Sequence, residues 1–207
     1  LRRELRIVAG ADSLELINTV DKARLAVKSY MAKEGKESLN FGFPFHVPDG
    51  QVELDLPLGR MRPETDQMPS ACKNWFTVGR WADVSNRRQG ITWVTLDAPL
   101  VQVGGLTAIL LNSQTNPDVW RKEVEPTRKL YSWAMNNHWG TNYRAYQDGP
   151  VVFRFWLRPH RAPDPAEASR FSIARSQPLL VRPATKTAAK SLPRLRVEPA
   201  GVLVTGF

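Results

Sequence analysis

Apolar residues recur at every second position in short runs along this chain, and turn-forming residues separate the runs. "ELRIVAG" and "SLELINTV" alternate on either side of Gly10 and Asp12 and predict two strands joined by a turn. "FGFPF" puts Phe41, Phe43 and Phe45 on one side. Pro44 restricts that run to a sheet edge or a bulge, since proline has no N–H to give to a ladder. "QVELDLPLG" sets Val52, Leu54 and Leu56 on one face, while "GITWVTLDAPL" is almost continuously apolar and β-branched, as a strand buried on both faces would be. The clearest alternation is "PVVFRFWLRPH", with Val151, Phe153, Phe155 and Leu157 on one side and Val152, Arg154, Trp156 and Arg158 on the other. "WFTVGRWADVSN", "VQVGGLTAILL", "FSIARSQPLLV" and the final "GVLVTGF" read as further strands.

Between these runs, "MRPETDQMPSACKN", "NSQTNPDVWRKEVEPTRK" and "RAPDPAEASR" read as polar loops, and "RPATKTAAKSLPRLRVEP" as a basic connector. Asp21 to Lys36 fits either a helical stripe of Ala23, Ala26, Val27, Tyr30 and Met31 or a long connection. About ten short strands without alternating helices predict an all-β fold, an antiparallel β-sandwich with few short helices, as a single domain over residues 1–207.

Composition agrees with this picture. The chain has 42% hydrophobic and 24% charged residues, the balance of a globular protein, and its 13 glycines and 16 prolines favour turns over long helices. At this size a fold buries roughly 70% of the surface its unfolded chain exposes, so a substantial core is available. The net charge of +9 is spread along the chain among Asp and Glu residues and reads as a basic solvated surface; no nucleic-acid partner is expected from it. No apolar run approaches the ~20 residues of a membrane span, and no membrane partner is expected. The lone Cys72 rules out an internal disulfide and leaves the compartment open. The opening "LRRELRIVAG" has neither an initiating Met nor a signal-peptide apolar region, and "GVLVTGF" stops on a strand pattern, so the chain is expected to be a piece of something longer.

The sequence offers no self-contained catalytic set. Asp83 and Asp97 are possible carboxylates for glycoside chemistry, yet nothing in their spacing sets them face to face; turn or cap carboxylates are the plainer reading. His46, His138 and His160 lie far apart, without a metal-ligand spacing, and neither a phosphate loop nor a nucleophile elbow occurs. What stands out is aromatic. Seven tryptophans are present, and indole rings stack on sugar faces while amides and hydroxyls take the sugar hydroxyls. Trp93 and Trp133 are expected to fill the space between two sheets. Trp139 is flanked by Asn136, Asn137, His138, Thr141 and Asn142, whose polar groups are costly to bury without partners. The segment either bonds to its own backbone or offers these groups to a ligand.

Taken together, "FGFPF", "RPETDQMPSACKNWFTVGRWADVSN", "GITWVTLDAPLVQVGG" and "YSWAMNNHWGTNYRAYQDGPVVFRFWLRPH" resemble the C-terminal β-sandwich region of glycoside hydrolase family 38, the α-mannosidases and related enzymes. The resemblance runs from about Leu14 to Val181 and rests on several separated blocks in the family's order. It implies a galactose-mutarotase-like supersandwich. It also implies an N-terminal α/β barrel outside this chain that carries the zinc ion and the nucleophilic aspartate. No catalytic residue carries over, because nothing here matches the zinc ligands or the nucleophile; no cofactor is expected in this chain. The implied role is that of a non-catalytic domain of a retaining α-mannosidase-like enzyme, with its own catalytic domain as partner and an α-mannoside as the ligand of the full enzyme. On that reading Asn136, Asn137, His138, Trp139, Thr141 and Asn142 form a corner that abuts or lines the sugar cleft. The alternative is an autonomous carbohydrate-binding module, which sugar titration of the chain alone separates from the first. A mutarotase-like enzyme is a third reading, but His138 lacks an evident acid–base partner.

Overall fold

In the computed structural model the alternating runs pair into two antiparallel sheets, with residues 1–23, 38–108, 116–136, 147, 149–177, 179, 181, 183, 196–199 and 201–204 described. The chain divides into two compact units, Leu1–Pro163 and Asp164–Phe207. Among its described residues the first contains eleven strands: β1 (Arg2–Ile7), β2 (Leu14–Val20), β3 (Ser38–Pro44), β4 (Gln51–Leu56), β5 (Gly59–Met61), β6 (Phe76–Thr77), β7 (Trp81–Ser85), β8 (Gly90–Thr95), β9 (Leu100–Val103), β10 (Lys129–Asn136) and β11 (Val151–His160). Seven form a sheet in the order β1-β2-β11-β8-β7-β4-β5, and four form a sheet in the order β3-β10-β9-β6. Among its described residues the second unit contains helix α1 (Pro165–Ser176).

The inward halves of the alternations form the core. Phe41 and Phe43 of the small sheet meet Phe153, Phe155 and Trp93 of the large one, with ring centroids 5.1–5.8 Å apart. Tilted and edge-on rings at such spacing add to the gain from burial alone. Central strand β8 is buried on both faces as its composition predicts: Trp93 points into the core, while Thr92 and Val94 are buried on the other side. Pro44 ends β3, which among the described residues pairs only with β10 and so forms a sheet edge, where the missing N–H costs nothing.

Sheet register relocates one tryptophan. Leu130 and Ser132 of β10 lie opposite Phe43 and Phe41 on the core side, so Tyr131 and Trp133 face away from the large sheet. Trp93 fills the space between the sheets as expected, but Trp133 does not; it is buried on the outer face, edge-on to Trp75 at 5.8 Å. β10 itself escapes the alternation rule because the polar Ser132 occupies a fully buried inward position and a bulge interrupts pairing between Trp133 and Met135.

The stretch expected as a loop and a strand, "RAPDPAEASR" with "FSIARSQPLLV", contains helix α1 instead. Asp164 caps it, accepting from the backbone N–H groups of Ala166 and Glu167 at 2.9 and 3.2 Å, and Pro165 at the first helical position sacrifices no bonded donor. Ala168, Phe171 and Ser172 are its buried residues, at helical rather than strand spacing. Gly201–Val204 forms no strand, and most of Asp21–Lys36 lies outside the described residues.

The β4–β5 hairpin carries local strain. Leu56 pairs with Gly59, leaving Pro57 and Leu58 as the turn, and Leu58 is held at φ 68°, fully exposed. A turn with proline first and a left-handed residue second favours glycine at that second position. Leu58→Gly is therefore expected to stabilise the protein by about 1 kcal/mol, read as a higher urea midpoint at unchanged slope; an unchanged or lower midpoint counts against a strained turn.

Candidate functional site

The C-terminal end of β10 collects polar and aromatic side chains on the outer face of the small sheet. Asn136 lies opposite Ser38 and Trp133 opposite Asn40, while Gln102 of β9 lies opposite Tyr131. Buried Gln102 donates to Asn40 Oδ1 at 2.7 Å and accepts the backbone N–H groups of Thr107 and Ala108, both at 2.7 Å. Asn40 in turn donates to Ser38 Oγ at 3.0 Å. Asn74 donates to the Thr107 carbonyl at 2.7 Å and accepts the Arg121 backbone N–H at 3.0 Å. These bonds fix the segments around Asn74 and Thr107 beside the sheet, since each buried partner left alone would cost about 1–3 kcal/mol.

Asn136 closes β10 and is the one member of the expected corner among the described residues. Its Oδ1 is buried and has no hydrogen-bond partner there. Asn137, His138, Trp139, Thr141 and Asn142 lie outside the described residues. Ser38, Asn40, Trp75 and Gln102 were not singled out by sequence. A signal existed for three of them: Ser38 and Asn40 are the polar half of the β3 alternation, and Gln102 is a lone amide in an apolar run.

A second polar cluster lies on the large sheet. His160 Nε2 sits 2.7 Å from Asp83 Oδ2, and the Thr92 hydroxyl donates to the same oxygen at 2.9 Å. His160 Nδ1 is 3.3 Å from the Arg161 carbonyl, so both ring nitrogens face acceptors and the imidazolium fits best. The hydrogen bond to Asp83 accordingly raises the His160 pKa above its ordinary 6.5, against the opposing pull of burial. Gly90 makes this approach possible, because a Cβ there would lie 2.3 Å from Ser85 Cβ and 2.5 Å from His160 Cε1. When His160 is protonated, both nitrogens donate and neither keeps a lone pair for general-base work. The cluster is a part-buried His–Asp hydrogen-bonded pair within the sheet, an ion pair when His160 is protonated.

Asp97 is separately engaged, accepting the Arg154 backbone N–H at 2.8 Å and two guanidinium bonds at 2.9 and 2.7 Å. Neither carboxylate behaves as a simple turn or cap group: Asp83 sits within β7, and both reach distant residues. Their partners Arg154 and His160 are six residues apart on β11, roughly 20 Å along a strand. Glycosidase carboxylates stand about 5–9.5 Å apart, so these two do not form such a pair. Among the described residues no group of three or more His, Cys, Asp or Glu side chains is arranged to hold a metal ion. Compared with known proteins, the chain matches no family model and no curated protein.

Proposed function

We propose that this chain is a non-catalytic β-sandwich region of a retaining α-mannosidase-like glycoside hydrolase, packing on a catalytic barrel and shaping its sugar cleft through the corner that follows β10. The observation that carries the reading is the end of β10, where a hydrogen-bonded amide network and a tryptophan pair adjoin an Asn136 carbonyl without a partner among the described residues. The β-sandwich architecture agrees with the resemblance. Exposed Leu5, Ile7 and Val8 at the free edge of the large sheet offer apolar surface for a neighbouring domain.

The test is made in the full-length enzyme encoded by the reading frame, which on this proposal supplies the barrel and its His and Asp zinc ligands upstream of Leu1. Asn137→Ala and Trp139→Ala are expected to lower turnover of an aryl α-mannoside at least about tenfold, the loss of roughly 1.4 kcal/mol of transition-state stabilisation. Unchanged turnover with lowered thermal stability reduces the corner to a structural part. A reading frame without the barrel ends the proposal.

A further inference from the structure

The opposite end of β10 makes a different kind of concavity. Lys129 opens the strand, about 23 Å along it from Asn136. Here β3 leaves its sheet and β9 stops, and backbone bonds tie the three segments: Phe45 N–H to the Arg128 carbonyl at 3.0 Å, and Gly104 N–H to the Lys129 carbonyl at 2.9 Å. Gly104 turns the chain away with φ 84°, a conformation that side chains disfavour. The result is a cavity of about 490 Å³ bordered by Phe45, His46, Gly104, Thr127, Arg128 and Lys129.

Its chemistry is one-sided. His46, Arg128 and Lys129 are exposed, and among the described residues none of their side chains has an ion-pair or hydrogen-bond partner. Among the described residues no carboxylate lines the cavity; Glu64 accepts the Thr127 backbone N–H at 3.3 Å. Unpaired cations around a concave surface focus positive potential, and a guanidinium presents a planar fork to an oxyanion. Phe45, half-buried and stacked on Phe43 at 6.2 Å and 25°, gives the cavity an aromatic wall. Inorganic phosphate or sulfate would occupy only a fraction of this volume, which lies in the range of small-molecule sites.

We propose that this cavity binds an anionic monosaccharide, a sugar phosphate, sulfate or acid, with its oxyanion on Arg128 and Lys129 and its ring against Phe45. The site is independent of the mannoside reading, because a neutral mannoside offers these cations no charge. The experiment is isothermal titration of the chain with glucose 6-phosphate, glucuronate, glucose, inorganic phosphate and adenosine monophosphate at low and at 150 mM salt. Expected is binding of glucose 6-phosphate or glucuronate, weakened at least tenfold by Arg128→Ala or Lys129→Ala and by the added salt, with glucose not binding. Phe45→Leu, which keeps an apolar side chain, should weaken the sugar anion while leaving inorganic phosphate unaffected. Binding of inorganic phosphate as tight as that of the sugar anions, tighter binding of the nucleotide, equal binding of glucose, or no binding to the folded protein each overturns the proposal.

Discussion

Trp93→Ala is expected to remove about 3–5 kcal/mol of stability, the usual loss for a fully buried indole, and enough to unfold a domain with an ordinary margin of about 5–15 kcal/mol at modest urea. Trp93 is 0% exposed, stacks on Phe155 at 5.5 Å and 24°, and meets Phe43 edge-on at 5.5 Å. It therefore joins the two sheets, and its loss opens a cavity at their contact. Trp93→Phe is the control. Among the described residues the Trp93 Nε1 is buried without a hydrogen-bond partner, so phenylalanine forfeits volume but removes an unsatisfied N–H, and the loss should stay below about 1.5 kcal/mol. Urea unfolding followed by far-UV circular dichroism separates the two. A loss under about 1 kcal/mol for the alanine variant would mean that the sheets are held together elsewhere.

Asp83→Ala is expected to cost about 3 kcal/mol at pH 6, the lower end of the range for breaking a buried pair, because His160 keeps partial access to water that softens the loss. The pH dependence gives the finer test. The folded His160 pKa is raised above the unfolded 6.5, so its stabilisation is fully present below pH 6.5 and is lost as pH rises through the folded value. Wild-type stability should therefore fall as pH is raised from 6 towards alkaline values. In Asp83→Asn, which keeps the shape but removes the charge, that part of the slope should vanish. Urea midpoints for both proteins across pH 5.5–9 are compared, since their difference cancels the other titrating groups. Parallel curves would show that Asp83 does not hold the imidazolium.

The sheet strands were legible where burial follows a period of two. β2, β4, β8 and β11 appear in the sequence because each sends apolar side chains to a core on alternate residues, or on all of them in β8. β10 was not, because its fully buried Ser132 reads as an outward residue and its bulge shifts the phase midway. Helix α1 was missed because Phe171 and Ile173 mimic a strand; the cap at Asp164 followed by Pro165 and Glu167 was the better signal. The polar network around Gln102 depends on pairings such as Asn40 with Gln102, 62 residues apart, which no local pattern encodes. Asp83 and His160 are 77 residues apart and were each visible, but not as a pair.

The strand order also sets a schedule for synthesis. β2 takes its place in the large sheet only against β11, and β3 reaches its sheet only through β10. At a translation rate of about 5–20 residues per second, β2 waits on the order of ten seconds for its partner, and an isolated β1–β2 hairpin is marginal in water. During that interval β2 and β3 lack these sheet partners, and their unpaired backbone groups stay open to other contacts until β10 and β11 have been made.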